Sequence, residues 1–87
     1  MPGRILPGTF IKVYPIPAFS TVTIELLPEI PVKNTILAIS NISGLQILRR
    51  KITEKKTVID VSGWPQGIYF IRISTDRLVQ VKKIIKN

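Results

Sequence analysis

The stretch SGWPQGIYFIRIST, residues 62–75, joins a cluster of turn-forming residues directly to a run of β-forming residues. Trp64-Pro65-Gln66-Gly67 fits a type I β-turn, because Pro65 supplies a fixed φ at the second position and Gly67 occupies the fourth. Residues 68–74 then read as a strand. The sequence therefore predicts an abrupt corner that leads into a strand.

Tyr69 stands two residues after Gly67, just inside the predicted strand. In Greek-key β-sandwiches, a Tyr at this place can turn back and hydrogen-bond the backbone a few residues upstream, an arrangement known as the tyrosine corner. We expect Trp64 to fill the end of the core beside it. Trp64, Pro65, Gly67 and Tyr69 are thus predicted to build the fold.

Strand signals dominate the rest of the chain, and no window favours a helix. Residues 21–26 alternate strictly between apolar and polar side chains, whereas the apolar run 35–42 predicts a strand buried on both faces. Residues 41–44 read as a tight hairpin connection and residues 75–77 as a hairpin loop. The seven predicted strands cover residues 10–14, 21–26, 35–42, 45–52, 56–61, 68–74 and 78–85.

Short strands separated by turn signals every ~8–12 residues predict an all-β, immunoglobulin-like antiparallel β-sandwich of about seven strands. The 87 residues fit a single domain. We expect a flexible lead-in over residues 1–9 and the domain over residues 10–87. No apolar run is long enough to span a bilayer, and the amino terminus lacks the apolar region of a signal peptide.

The composition argues against catalysis. The chain has no His and no Cys, so the usual nucleophile–base pairs, thiolate metal sites and most transition-metal sites are excluded. Its five carboxylates are scattered without a paired motif. We therefore predict a non-enzymatic protein with no catalytic residues, no metal site and no cofactor.

The formal charge of +8 is unevenly distributed along the chain. Residues 1–44 hold three cations and two acids, whereas residues 45–87 hold ten cations and three acids, a net charge of +7. Such asymmetry hints at an anionic partner. The run Arg49-Arg50-Lys51 with Lys55 and Lys56 could bind lipopolysaccharide phosphates or nucleic acid. A solvated basic face explains the same pattern more simply.

Three segments in order, at residues 13–26, 39–47 and 59–86, resemble a known pattern. Their quoted cores are VYPIP with VTIEL, ISNISGLQI, and IDVS, WPQGIYFIRI and VKKIIK. Together they resemble the C-terminal sorting domain, type A, of the type IX secretion system (the Por secretion system), and the match covers about residues 10–87. Ile16 stands where the family usually has Asn, and Trp64 replaces its usual Leu.

The resemblance implies a sorting domain at the end of a longer polypeptide, with the cargo domain N-terminal to it. It implies export through the periplasm and the outer membrane to the cell surface or the medium, with an outer-membrane receptor and a sortase as partners. It also assigns recognition by the secretion machinery to the Gly-x-Tyr motif and to the terminal basic strand. These residues are Gly67, Tyr69, Lys82, Lys83, Ile84, Ile85 and Lys86.

A physical reading of the last strand stands beside the resemblance. A strand at a sheet edge exposes unpaired N–H and C=O groups, which can pair with a partner strand. Lys82, Lys83 and Lys86 would discourage aggregation there and offer charge to an acidic receptor groove. The same edge also allows a dimer of two chains.

Two other functions remain open from the sequence. A stand-alone adhesion or carbohydrate-binding module would need an exposed aromatic platform, for which Tyr14, Phe19 and Trp64 are the candidates. A nucleic-acid-binding protein would need exposed aromatic residues interleaved with basic ones. Tyr69 and Phe70 are adjacent, so they are predicted to point to opposite faces and to form no such platform.

Overall fold

A computed structural model describes residues 10–87, and the predicted lead-in 1–9 lies outside the described residues. Within the described part every regular element is a β-strand, and none of it forms a helix that could cross a membrane. The strands are β1 (Ile11–Tyr14), β2 (Thr21–Leu26), β3 (Ile36–Asn41), β4 (Gln46–Lys51), β5 (Lys56–Asp60), β6 (Gly67–Ser74) and β7 (Val79–Lys86).

The strands form two antiparallel sheets that pack face to face. One sheet has the order β1-β2-β5 and the other the order β4-β3-β6-β7. The predicted all-β sandwich of seven strands is confirmed. In the immunoglobulin constant arrangement the fourth strand joins the sheet of the first two. Here β4 pairs with β3 instead, so the immunoglobulin likeness is approximate in this strand.

The core lies between the sheets and follows the alternation of the sequence. In β2, Val22, Ile24 and Leu26 are buried, as their spacing predicts. From the opposite sheet, β6 contributes Ile71 and Ile73, neither of which is accessible to solvent. These side chains hold the two layers together, because burying one such residue contributes about 1.5–3 kcal/mol to the stability of the folded state.

The prediction that β3 is buried on both faces is wrong. Leu37 and Ile39 are fully buried on the inner face, whereas Ile36, Ala38 and Ser40 on the outer face are only half-buried. The sandwich has two layers, so nothing in the described part covers the outer face of the sheet. The half-burial comes from the neighbouring strands β4 and β6.

The hydrogen-bonded turn before β6 lies three residues upstream of its predicted position. The Trp64 N–H donates to the Val61 carbonyl oxygen at 3.0 Å, which closes a turn around Ser62 and Gly63. Asp60 supports this turn, because its Oδ1 accepts from the Ser62 N–H at 2.9 Å and from the Ser62 hydroxyl at 2.7 Å. Asx-type bonds of this kind favour a turn directly after the Asp.

The two predicted hairpins are present. In the β3–β4 connection, Gly44 N donates to Asn41 O at 2.9 Å and Gly44 has a φ of 88°, as in a type I turn followed by a left-handed residue. The Asn41 side chain also accepts from the Ser43 and Leu45 N–H groups. In the β6–β7 connection, the Thr75 hydroxyl oxygen accepts from the Leu78 N–H at 3.0 Å.

The antiparallel register gives the sandwich two distinct ends. The leading end holds Phe10 and the connections 27–35, 52–55 and 75–78, since Ile11 pairs with Leu26 and Ser74 pairs with Val79. The trailing end holds Asn87 and the connections 15–20, 42–45 and 61–66. In the connection 15–20, the Tyr14–Pro15 and Ile16–Pro17 peptide bonds are both cis.

Candidate recognition surface

The corner before β6 is closed by a single side chain. The Tyr69 hydroxyl donates to the Pro65 carbonyl oxygen at 2.6 Å, which is the bond that defines a tyrosine corner. The Trp64 ring lies beside it, with ring centroids 5.0 Å apart and planes tilted by 46°. Trp64 is half-buried against the core, so its ring supports the corner from inside the sandwich.

Gly67 begins β6 with a φ of 146°, a backbone conformation that side chains with a Cβ rarely adopt. A Cβ built at this position would meet no atom within 4 Å, so the backbone angle and not crowding requires glycine here. The position also lines a surface cavity of about 190 Å³ together with Asn41, Ile42 and Pro65. Gly67 therefore shapes the corner and leaves an indentation beside it.

The terminal strand β7 brings the two predicted recognition motifs together. It pairs with β6 along its whole length, and the register places Lys86 opposite Gly67 and Ile84 opposite Tyr69. The Gly-x-Tyr motif and the basic terminal segment are thus neighbours in one sheet. Both lie at the trailing end.

The predicted recognition residues of β7 differ in exposure. Ile84 is fully buried in the core and Ile85 is 41% exposed on the outer face. Lys83 is exposed, whereas Lys82 is half-buried on the inner side. Lys86 is only 7% exposed and donates through Nζ to the Asn87 carbonyl oxygen at 2.8 Å. Lys86 is therefore largely inaccessible to a partner in this conformation.

The other flank of β7 is an edge of the four-stranded sheet. Ile85 O and Asn87 N point to this flank, because both bond Ala18. Since backbone groups alternate in direction along a strand, the N–H and C=O groups of Val79, Val81 and Lys83 point the same way. Within residues 10–87 no backbone hydrogen bond reaches these groups.

Two contacts close off the ends of this edge, and the sequence predicted neither. At the trailing end, Ala18 N donates to Ile85 O and Asn87 N donates to Ala18 O, each at 2.8 Å. At the leading end, the Phe10 N–H donates to Oε1 of the buried Gln80 at 3.2 Å. A Gln within a strand of valines and lysines is the one signal that could have indicated the second contact.

The basic residues between positions 49 and 56 have two different roles. Lys55 is structural, because its Nζ donates to the Pro28 carbonyl oxygen at 2.7 Å and also to the Ile30 carbonyl oxygen. Arg50 and Lys51 are exposed and, with Lys56 and Glu54, line a surface cavity of about 260 Å³ between β4 and β5. Arg49 lies on the outer face of the sheet.

The exposed aromatic side chains do not form a platform. Phe19 is 61% exposed and Tyr14 is 39% exposed, whereas the half-buried Trp64 packs on Tyr69. Tyr69 is buried on the inner face and Phe70 is half-buried on the outer face, so they point in opposite directions. No group of three or more metal-ligating side chains comes together among the described residues.

Comparison with known proteins gives information on the family and on the fold of the chain. A family model described as the secretion system C-terminal sorting domain matches residues 12–87. No curated protein is similar enough to count as a match. Among solved structures, the chain is similar in fold to PorZ, described as an essential bacterial surface component of the type-IX secretion system of human oral-microbiomic Porphyromonas gingivalis.

The likeness to PorZ has a TM-score of 0.74 at 15% sequence identity. It covers 88% of this chain but only 11% of the PorZ chain, so the chain spans a small part of that protein. At this identity the likeness shows the fold alone.

Proposed function

The chain belongs to the family of type IX secretion system C-terminal sorting domains, and from this premise we propose that residues 10–87 carry an N-terminal cargo domain across the outer membrane. The family match over residues 12–87 is the observation that carries the proposal. The domain acts by being recognised and catalyses nothing itself. A receptor in the outer membrane binds it, and a sortase then releases the cargo to the cell surface or the medium.

The free edge of β7 supplies a physical mechanism for recognition. Val79, Val81 and Lys83 direct their backbone N–H and C=O groups away from β6, so an extended receptor segment can add to the sheet there. Lys83 is the exposed cation that an acidic receptor segment would meet. Lys86 is buried at the end of this strand, which the backbone hydrogen bonds of Ile85 and Asn87 to Ala18 hold in place.

Gly67 and Tyr69 contribute by holding the edge in place. Tyr69 pairs with Ile84, and Gly67 pairs with Lys86, so any distortion of the corner displaces the end of β7. The two motifs of the resemblance thus act as one unit, in which the corner orients the strand that the receptor binds.

Deleting residues 82–87 does not test this mechanism cleanly. The deletion removes Ile84, which is fully buried, and most of the pairing between β6 and β7. Loss of export would then follow from unfolding as well as from loss of recognition. A sharper variant is Val81→Pro, which removes an outward N–H group and leaves the hydrogen bonds to β6 in place.

The test fuses a signal peptide and a reporter to residues 1–87 in a host that has this secretion system. The matched control is Arg49→Pro, which removes an outward N–H group from β4 at the opposite edge of the same sheet. We expect Val81→Pro to lower surface reporter at least about tenfold and Arg49→Pro to leave it nearly unchanged. Melting temperatures of both variants check that they fold.

Equal export of both folded variants would refute recognition through the β7 edge. If the wild-type domain exports no more reporter than the signal peptide alone, the sorting function itself fails. The adhesion or carbohydrate-binding alternative is not favoured, because its candidate aromatic residues form no common platform.

A further inference from the structure

The two ends of the sandwich differ in the chemistry of their connections. At the leading end, each of the three connections contains charged residues, among them Glu29, Glu54 and Arg77. At the trailing end, the connections 15–20, 42–45 and 61–66 contain none. A chain with a net charge of +8 thus has one end whose loops are entirely uncharged.

These uncharged loops expose large apolar side chains. Ile42 and Leu45, at the tip of the β3–β4 hairpin, are 67% and 64% exposed, and Phe19 is 61% exposed. Single exposed apolar residues are normal on a protein surface. Three of them on uncharged loops at one end of a small domain suit that end for contact with an apolar partner surface.

The hairpin tip holds Ile42 and Leu45 in a fixed geometry. Oδ1 of Asn41 accepts hydrogen bonds from the Ser43 N–H at 2.9 Å and from the Leu45 N–H at 3.0 Å. Gly44 completes the turn with a φ of 88°. A rigid tip loses little conformational entropy on binding, so its side chains are suited to act as anchors.

The cavity of about 190 Å³ lies directly beside this tip. Ile42 forms one wall, Pro65 and Gln66 form another, and Gly67 leaves space because it has no side chain. The trailing end therefore presents a projecting Ile42 next to an indentation at the corner. A partner protein is complementary in shape to this surface if it has a pocket for Ile42 and a side chain that fills the indentation.

We propose that the trailing end is a docking surface for a partner protein that presents an uncharged apolar groove. This inference rests on the proposed function, in which that partner belongs to the secretion machinery. Phe10, the first described residue, lies at the opposite end, about 23 Å away along the eight-residue β7. A cargo domain there leaves the trailing end accessible.

A protein groove fits this surface better than a lipid bilayer does. Loops and helices that bind membrane surfaces usually carry Lys or Arg beside their apolar residues. The trailing-end connections carry neither, and the only charged residue directly flanking one of them in the described chain is Asp60. Lys86, which ends β7 at the same end, is only 7% exposed. Binding through the trailing end should therefore depend little on salt.

The test compares two double variants in the reporter fusion with the full chain. Ile42→Thr with Leu45→Thr removes the trailing-end anchors. The matched control, Val58→Thr with Leu78→Thr, removes two exposed apolar side chains that lie outside the trailing-end connections. We expect the first pair to lower surface reporter at least about tenfold and the second to change it less than about twofold.

Thermal unfolding of the purified chains shows whether each pair still folds, and Phe19→Ser serves as an independent trailing-end variant. Sedimentation with vesicles of phosphatidylethanolamine and phosphatidylglycerol tests the membrane as partner. Export of the trailing-end variants at the wild-type level would overturn the inference. So would vesicle binding that the Ile42 and Leu45 substitutions abolish. If the unaltered fusion is not exported, the proposed sorting function is what fails.

Discussion

The Tyr69 hydroxyl is the side-chain group on which the corner depends. Tyr69→Phe removes its bond to the Pro65 carbonyl oxygen and leaves a partly buried acceptor without this donor. We expect the free energy of unfolding to fall by about 1–2 kcal/mol. Urea unfolding followed by fluorescence of Trp64 measures it, because that ring lies against Tyr69.

Tyr14→Phe is the matched control for this prediction. The Tyr14 hydroxyl also donates a hydrogen bond, to Glu25 Oε1 at 2.8 Å, but in an exposed place. This bond to the Glu25 carboxylate raises the pKa of Tyr14. Its loss should change stability far less, since water replaces the partner. Equal losses in the two variants would show that the corner bond has no special role.

Gly67 gives a second prediction at this scale. Gly67→Ala forces a residue with a Cβ into a φ of 146°, so we expect a loss of about 1–3 kcal/mol in the free energy of unfolding. Gly63→Ala is the control, because a Cβ there also meets no atom within 4 Å and the position has no positive φ. The control should be neutral or slightly stabilising. A loss at Gly63 as large as at Gly67 would refute the backbone argument.

Asp60 makes the stability of the turn depend on pH. Hydrogen bonds from the Ser62 N–H and hydroxyl hold the pKa of Asp60 below its ordinary value of 3.8. The folded state therefore releases this proton more readily than the unfolded state does. The resulting stabilisation is present above the ordinary value and is lost as the pH falls through the lower, folded value.

Thermal unfolding between about pH 5 and pH 2 tests the role of Asp60. We expect Asp60→Asn to lose less stability over this range than the wild-type chain. Ser62→Ala should fall between them, because it removes one of the two donors. Parallel curves for all three proteins would contradict the assignment.

Side-chain roles were predictable where a local motif fixed them. Tyr69 could be assigned from its distance to Gly67, because the tyrosine corner is formed within a few residues. The role of Lys55 could not be assigned, since its ammonium group binds the Pro28 and Ile30 carbonyl oxygens, which only the fold brings near. The burial of Lys86 also follows from the fold, although its ammonium group binds the neighbouring Asn87. In the sequence both look like ordinary surface lysines.

At the scale of elements, Lys55 links the connection before β5 to the loop that follows β2. Lys55→Met keeps the aliphatic stem but removes the bonds to the Pro28 and Ile30 carbonyl oxygens. We expect a loss of about 1 kcal/mol in the free energy of unfolding. Lys56→Met is the control on the neighbouring residue and should change stability by less than about half of that. Urea denaturation measures the free energy of unfolding of both variants. Equal losses in the two variants would refute the structural role of Lys55.

The strands themselves were predicted well and their connections less so. Period-two alternation identifies β2 because its apolar side chains all face the core. The same logic failed for β3, where an apolar run was read as burial on both faces although only Leu37 and Ile39 are fully buried. The turn before β6 was placed too late because Pro65 and Gly67 dominate the local signal. The Asx bonds of Asp60 decide the position instead.

At the scale of the whole molecule, the pairing of strands is what the sequence could not supply. Alternation shows which residues face inward but not which strands are neighbours. The placement of β4 beside β3, and of β7 at an edge partly closed by Ala18, follows from long-range contacts. The proposed recognition surface therefore emerges only from the assembled sheets, since it combines the corner with the last strand.

The net charge of +8 also acts on the whole molecule. On the outer face of the four-stranded sheet, Arg49 and Arg72 flank Ala38 in one row across the strands. At the usual strand spacing their backbones lie about 10 Å apart. The two guanidinium groups carry like charges and repel each other. This repulsion is weakly screened at about 10 mM salt and largely screened at about 150 mM. We expect the melting temperature to rise by a few degrees between these conditions.

Calorimetry at the two salt concentrations, with Arg49→Glu as a comparison, tests this prediction. The substitution lowers the net charge from +8 to +6 and places a carboxylate in the row that holds Arg72. It should raise the melting temperature at low salt and reduce or abolish the rise with added salt. A wild-type melting temperature that falls on adding salt would mean that attractive pairs outweigh the repulsion among the cations of this sheet.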